Sequence, residues 1–296
     1  MYERMLVPLD GSELAKVALN YAGELGARLG SEITLLSVVE SAETQGYRDS
    51  QSYLAEMVQA TKRHIRSYLK KPETKVIKIG SQVLVGEPAE QIVDFADRKD
   101  IGLIVMVSHG QSGVRHWTLG SVTHKVVMAT KHPVAVIRAK RPRSHVRRKG
   151  LLNKVLVPLD GSKESEKVIP YVEELASRLG GEVVLLQVLA PTRYEYTAEG
   201  ALQVPYTTTD LWQLQATLIR YLGKLVSRLK DKGITTSLEV EVGIAGEEII
   251  KFADENDIDI VAMSTHGLSG LSYWSIGSVA YKVLQAGNSH LMLVGA

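Results

Sequence analysis

The 296-residue chain has no cysteine. That excludes thiol nucleophiles, thiolate metal centres and disulfide frameworks, and it fits a reducing compartment. Long hydrophobic runs are also missing: the longest, Leu103-Ile104-Val105-Met106-Val107, is far too short to span a bilayer. At the N-terminus the apolar stretch from Met5 is cut by Pro8 and Asp10, a pattern that argues against a secretory signal. Neither a Gly-x-x-x-x-Gly-Lys-Ser/Thr loop nor a Gly-x-Ser-x-Gly elbow occurs, which disfavours P-loop NTPases and serine hydrolases. The expectation is a cytoplasmic protein with no membrane segment.

Charge of one sign is not in excess either, with 35 Lys+Arg against 33 Asp+Glu for a formal +2. The balance conceals a strip of seven basic residues and no acidic ones between Arg138 and Lys149. The rest of the chain holds 28 basic and 33 acidic residues, a formal −5. Interrupted by Pro142 and ended by Gly150, the strip reads as a solvated linker at 140–150, and the near-neutral total points away from nucleic acid. With 45% hydrophobic residues, the composition is globular, and the length suits about two domains.

Those domains are copies of each other. Met5-Leu6-Val7-Pro8-Leu9-Asp10-Gly11-Ser12 returns, 150 positions on, as Val155-Leu156-Val157-Pro158-Leu159-Asp160-Gly161-Ser162. Further along, Ser108-His109-Gly110 returns as Thr265-His266-Gly267 at an offset of 157, so the second copy gains seven residues net between these landmarks. The polar stretch from Pro191 to Asp210, opposite the shorter Ser41 to Ser52, is the expected place. At the same offset the only two phenylalanines, Phe95 and Phe252, coincide, as do Trp117 and Trp274. Duplicated domains at 1–139 and 151–296 account for this better than a solenoid.

Each copy alternates strand and helix signals. In the first, Met5–Leu9 reads as a strand buried on both faces, and Ser12 opens a helix that ends at Gly30. A strand at 33–39 follows, then a helix from about Ser52 to Lys70 and a strand ending near Val85. A helix over 89–98, a strand over 103–108, a helix from Ser121 and a short strand over 134–137 complete the unit. The pattern implies a doubly wound α/β domain: a five-stranded, mostly parallel sheet with helices on both faces, twice. In the second copy Pro170 falls inside the first helix, where a kink is expected. Pro8 and Pro158 stand at the ends of central strands, tolerable at the carboxyl edge where open α/β sheets bind ligands.

Most of the chemistry sits in one spacing: Ser108-His109-Gly110, nine residues, then Gly120-Ser121-Val122, matched by Thr265-His266-Gly267, nine residues, then Gly277-Ser278-Val279. Glycines admit a ligand close to backbone N–H groups, and the first turn of a helix offers unpaired donors and a positive dipole end. Ser121 and Ser278 could cap that helix or donate to a phosphate oxygen. Asp10 and Asp160, directly after the first strands, could accept from a ribose hydroxyl or hold Mg²⁺ through water, and equally could close an Asp-Gly-Ser turn. Lys125 and Lys282, one turn beyond the serines, read as surface residues. The histidines 109, 116, 124 and 132 make a weak case for metal. Trp117 and Trp274 could stack on a base but more often anchor a loop.

These residues resemble the universal stress protein family in its tandem form, over nearly the whole chain. The resemblance implies a Rossmann-like fold of the adenine nucleotide alpha hydrolase type and a nucleotide site in each half. The family pattern of glycine, two residues, glycine, nine residues, glycine and serine or threonine falls on Gly110, Gly120 and Ser121, and on Gly267, Gly277 and Ser278. Its first glycine is replaced by Val107 in one copy and Ser264 in the other. Serine leaves room beside a phosphate, whereas valine puts a branched apolar side chain there, and Arg115 could add positive charge.

By the same resemblance Asp10 and Asp160 face a ribose, and Val38 and Val188 flank an adenine. The candidate nucleotide-binding set is Pro8, Asp10, Val38, Gly110, Gly113, Gly120, Ser121 and Val122 in the first copy. In the second it is Pro158, Asp160, Val188, Ser264, Gly267, Gly270, Gly277, Ser278 and Val279. The implied ligand is ATP, or ADP or AMP, with Mg²⁺ as an option, and the implied role is a nucleotide-dependent stress-response regulator with an unidentified protein partner. The strands 134–137 and 291–294 are expected to pair, making an intramolecular pseudo-dimer that admits a further homodimer. The rival readings are a nucleotide-free interaction scaffold and a weak ATPase or autophosphorylating enzyme.

Overall fold

In a computed structural model, residues 1–43, 45–68, 77–108, 119–138, 152–197, 200–267 and 276–295 are described. The chain divides into two compact units. One is built mainly from Met1–Leu151 with the terminal strand from His290, the other mainly from Leu152–Leu271 and Gly277–Ser289.

The first unit opens with strand β1 (Arg4–Pro8), helix α1 (Ala15–Leu29), β2 (Glu32–Val39) and α2 (Gln45–Tyr68). It continues with β3 (Ile79–Val85), α3 (Pro88–Lys99), β4 (Leu103–Val107), α4 (Ser121–Ala129) and β5 (Val134–Ile137). The sheet order is β5-β4-β1-β2-β3, every pair parallel. Around it α1 packs on α2 and α3 on α4. All five residues of β4 and all four of β5 are buried, which is why these strands read as unbroken apolar runs rather than alternating ones.

The second unit comprises β6 (Lys154–Pro158), α5 (Lys163–Glu166), α6 (Ile169–Leu179), β7 (Glu182–Leu189), β8 (Thr192–Thr197) and β9 (Gly200–Pro205). Then come α7 (Thr208–Asp231), β10 (Thr235–Val242), α8 (Ala245–Glu255), β11 (Ile260–Ser264) and α9 (Ser278–Ala286). Its parallel order is β10-β7-β6-β11. The last strand, β12 (His290–Val294), joins the first unit and runs antiparallel to β5, with Leu291 opposite Val136 and Leu293 opposite Val134. Strands 134–137 and 291–294 thus pair as expected.

Three local outcomes differ from the sequence reading. Helix α2 begins at Gln45, seven residues before the expected Ser52. Its early turns are polar and mostly exposed, so they carry little hydrophobic period to detect. At Pro170 the helix does not kink but breaks: α5 stops at Glu166 and α6 restarts with Pro170 in its first turn, where a missing N–H leaves no bond unmade. The seven-residue gain is larger at its source. The offset reaches 163 at the start of the second long helix, Gln45 against Thr208, and falls to 157 by the end of the next strand, Val85 against Val242. The antiparallel hairpin β8–β9 supplies the extra residues, and the stretch from the start of α7 to the end of β10 is six residues shorter than its counterpart.

The prolines at the strand ends have a geometric explanation. Pro8 pairs with Leu36 on β2, and the next N–H, of Leu9, donates to Leu36 O at 2.7 Å. The β1–β4 ladder pairs only Met5 with Leu103 and Leu6 with Ile104, so on that side the strands have parted before Pro8 would need a donor. Pro158 repeats this, with Leu159 N–H on Leu186 O at 2.8 Å and the β6–β11 ladder ending at Leu156. Where neighbouring strands part at their carboxyl ends, an open parallel sheet forms a crevice.

Candidate nucleotide sites

Each crevice begins with a turn. In the first unit Gly11 has φ +81°, a backbone region that suits glycine, and Ser12 N–H donates to Asp10 Oδ1 at 3.0 Å. Ser12 Oγ in turn accepts from Ala15 N–H at 3.1 Å, but the N-cap of α1 is Leu14 and carries no side-chain cap, so Ser12 closes the turn before the helix and does not cap it as expected. In the second unit Gly161 has φ +84° and Asp160 Oδ1 accepts from both Ser162 N–H, at 2.9 Å, and Ser162 Oγ, at 2.6 Å. Ser162 caps α5 through Ser165 N–H at 3.0 Å. The turn occupies one carboxylate oxygen of Asp160. The other, Oδ2, lies where a Cβ on Gly267 would be, only 2.1 Å from that position.

The opposite wall of each crevice is the start of a helix, and here the serines do not cap. The N-cap of α4 is Gly120 and that of α9 is Gly277, neither helix has a side-chain cap, and Ser121 and Ser278 are the first helical residues, both exposed. The first main-chain helix bonds are His124 N–H to Gly120 O at 2.9 Å and Tyr281 N–H to Gly277 O at 2.8 Å. The N–H groups of the first turn, at 121–123 and 278–280, consequently have no acceptor within their own helix. Both helix starts are held in place by their capping glycine: Gly120 N–H donates to Ser108 O and Gly277 N–H to Thr265 O, each at 2.7 Å.

Between turn and helix lie two cavities of about 310 Å³ each. In the first unit the cavity collects Pro8, Asp10, Val38, Gly120, Ser121 and Val122, together with Val107. In the second it collects Pro158, Asp160, Val188, Ser264, Gly267, Gly277, Ser278 and Val279. Gly110, Gly113 and Gly270 lie outside the described residues, as do Arg115, Trp117 and Trp274.

Several lining residues escaped the sequence reading. Leu36 and Leu186 precede Val38 and Val188 by two positions on the same strand face, so a period of two would have found them. Ile92 on α3 and Ile249 on α8 close the apolar side, and Met106 and Met263 line the strand ends. Thr265 and His266, part of the repeated spacing but absent from the candidate set, line the second cavity as well.

The two cavities differ in polarity. In the first, Val107 is buried, and the Thr123 hydroxyl is committed to Val107 O at 2.9 Å. In the second, Ser264 is only 5% exposed and its Oγ has no hydrogen-bond partner, and the same holds for the buried Nε2 of His266. Near the Asp turns stand two tyrosines. Burial, followed by the charges of Asp10, Glu13 and Glu56, pushes Tyr53 up to about 12. Burial, the hydrogen bond that Tyr221 donates to Glu166 at 2.8 Å, and the charges of Glu166 and Asp160 push Tyr221 well above its ordinary value.

Lys125 and Lys282 are exposed and paired with Glu87, at 2.7 Å, and Glu247, at 3.3 Å. No group of three or more His, Asp or Glu side chains placed to hold a metal occurs among the described residues, where His132 instead pairs with Asp97 at 2.8 Å. No helix among the described residues is long and apolar enough to cross a membrane.

Comparison with known proteins gives a consistent result. The universal stress protein family model matches residues 1–138 and again 152–295. Universal stress protein YxiE of Bacillus subtilis is 31% identical over 148 residues, which take in 47% of this chain and all of that protein. Universal stress protein Slr1230 of Synechocystis is 22% identical over 307 residues, 96% of each chain. Among solved structures, a universal stress protein from Archaeoglobus fulgidus aligns with a TM-score of 0.65 at 21% identity, over 100% of this chain and 99% of that one. One from Pseudomonas aeruginosa aligns with a TM-score of 0.68 at 16% identity, over 99% and 93%.

Proposed function

The chain belongs to the universal stress protein family, and on that premise we propose that it binds an adenine nucleotide at the strand ends of one or both halves, and regulates a protein partner according to occupancy. The observation that carries this reading is the same three-sided construction in both crevices. An apolar wall, Leu36 and Val38 or Leu186 and Val188, suits a purine face. The carboxylate of Asp10 or Asp160 suits ribose hydroxyls. A helix start without a side-chain cap, whose first N–H groups have no acceptor in their own helix, suits phosphate oxygens. Each volume lies at the lower end of the range for small-ligand pockets.

ATP, ADP and AMP all fit that description. Mg²⁺ would arrive with the phosphates, held by their oxygens and water, with Asp10 or Asp160 as the carboxylate within each cavity. Buried polar atoms without partners at Ser264 and His266 favour the second cavity as the tighter one. Val107 favours a weaker or nucleotide-free first half that serves as an interaction surface. Slow ATP turnover is the enzymatic alternative, and its loss in both Asp10→Ala/Asp160→Ala and Ser121→Ala/Ser278→Ala variants would support it.

The test is to denature the purified chain, identify any co-released nucleotide and its stoichiometry, and titrate nucleotide-free protein with ATP, ADP and AMP by calorimetry. One or two equivalents of adenine nucleotide are expected. A chain that releases none and binds none at millimolar concentration is not a nucleotide-binding protein.

A further inference from the structure

Helix α7 carries more apolar surface than its own unit covers. Leu218, Leu222, Leu225 and Leu229 recur at intervals of four, three and four residues, and the last three are buried. A second stripe, Trp212, Ala216, Ile219 and Gly223, recurs at the same intervals. It is open: Trp212 is 68% and Ile219 48% exposed, Ala216 is exposed too, and a Cβ on Gly223 would meet nothing within 4 Å. Alternating intervals of four and three mark the seam along which one helix packs against another.

The first half shows that the fold does not require this stripe. Val58, Thr61 and Ile65 of α2 are buried with the same spacing as Leu222, Leu225 and Leu229 of α7, which sets the two helices in register. In that register Trp212, Ala216, Ile219 and Gly223 correspond to Arg48, Ser52, Ala55 and Gln59, all exposed and none of them large and apolar. A bulky apolar seam kept open to solvent in one copy alone marks an interaction surface rather than a part of the core.

Charge narrows the occupant. Between Asp210, which forms a capping box with Thr207, and Asp231 at the other end, α7 has no acidic residue. Within that span Arg220 and Lys224 each directly follow a residue of the stripe, about 100° further round the helix, and both are exposed. Neither makes an ion pair with a described residue, whereas Arg228 and Lys232 both reach Glu173. A second copy would bring the same cations and no carboxylate for them. An anionic membrane would supply the charge, but the small Ala216 and Gly223 beside Trp212 and Ile219 leave hollows that suit the interlocking side chains of a helix.

We propose that Trp212, Ala216, Ile219 and Gly223, flanked by Arg220 and Lys224, dock an amphipathic helix of a partner protein that carries carboxylates along the edge of its apolar face. The described linings of the two cavities include none of these residues, so the inference stands apart from the nucleotide reading.

The experiment titrates the full chain into two fluorescently labelled helical peptides of about 20 residues and follows anisotropy. Both peptides carry a leucine stripe at intervals of four and three, one with Glu and the other with Lys on its flanks. The Glu peptide is expected to bind about tenfold tighter than the Lys peptide or better. Trp212→Ala/Ile219→Ala is expected to weaken the Glu peptide about tenfold or more, and Arg220→Glu/Lys224→Glu to reverse the preference between peptides. All four positions are exposed, and circular dichroism confirms folding.

Equal binding of the two peptides, no binding of either at about 1 mM, or a Glu-peptide affinity unchanged by both double variants would overturn the proposal. So would sedimentation showing a dimer that Trp212→Ala/Ile219→Ala dissociates, which assigns the stripe to a second copy. Binding to phosphatidylglycerol–phosphatidylcholine vesicles that the same variant abolishes would overturn it in favour of a membrane surface.

Discussion

His290 Nε2 lies 2.7 Å from the hydroxyl of Tyr21, 269 positions earlier in the chain, with the two rings edge to face at 4.6 Å. The other ring nitrogen, Nδ1, accepts from Arg138 N–H at 3.0 Å. With Nδ1 an acceptor, the neutral ring carries its proton on Nε2 and donates it to Tyr21. Both nitrogens thus fasten the first residue of β12 to the first unit, beside its antiparallel ladder to β5. Tyr21→Phe is expected to destabilise the chain by about 1 kcal/mol and His290→Ala, which also empties buried volume, by about 2–4 kcal/mol. Urea denaturation measures both, and a cost for His290→Ala no larger than that of a surface substitution contradicts the arrangement.

The two glycines of the second cavity should respond unequally to alanine. A Cβ on Gly267 would sit 2.1 Å from Asp160 Oδ2, whereas one on Gly277 would come no closer than 3.3 Å, to Thr265 O. Gly267→Ala therefore displaces the carboxylate and should weaken nucleotide binding by about tenfold or more, about 1.4 kcal/mol. Gly277→Ala should stay within about threefold. Equilibrium titration of the two variants decides the order, and a larger loss for Gly277→Ala would be inconsistent with it.

At high pH the tyrosines beside the Asp turns become a liability. Tyr53 is pushed up to about 12 by burial and then by nearby carboxylates, so the folded chain holds this proton more tightly than the unfolded chain does. Its contribution is complete below the ordinary tyrosine range near 10 and is lost as pH rises towards 12. Tyr53→Phe should therefore lose less stability than the parent between pH 8 and about 11, by denaturant titration at each pH. Ultraviolet titration should show one high-titrating phenol fewer. A parent and variant with parallel pH profiles would discount Tyr53 as the source.

Val107 stands where the second copy has Ser264, and it is buried at the end of β4. Val107→Ser gives the first cavity the hydroxyl that the second already has, at a cost of about 1–2 kcal/mol in stability. The expected gain is tighter ATP binding at the first site, seen in calorimetry as a stoichiometry moving towards two. First-site affinity unchanged in a folded variant would show that the valine is not what separates the halves.

Much of the fold was legible in the residues because its signals are local. Buried parallel strands such as Leu103–Val107 announce themselves as short apolar runs, Gly30 ends α1 in the left-handed region, and the repeat of Pro-Leu-Asp-Gly-Ser places both turns. The early turns of α2 were not legible, because a solvated polar surface leaves no period to read. The exact break at Pro170 was not legible either: proline forbids one hydrogen bond, but whether a helix bends or restarts depends on what its flanks pack against.

The residues alone determined a duplicated α/β chain with turn carboxylates, helix-start glycines and one valine-for-serine difference between the copies. Those properties follow from periodicity, backbone freedom and side-chain size, all of which act within a few positions. Tertiary structure decided what these side chains meet. Ser121 and Ser278 do not cap their helices, Asp160 Oδ2 lies against Gly267, and Ser264 Oγ and His266 Nε2 are buried without a hydrogen-bond partner. Hydrogen-bond satisfaction is a property of neighbours far apart in the chain, as His290 and Tyr21 also show, so it exists only once the strands and helices have been brought together.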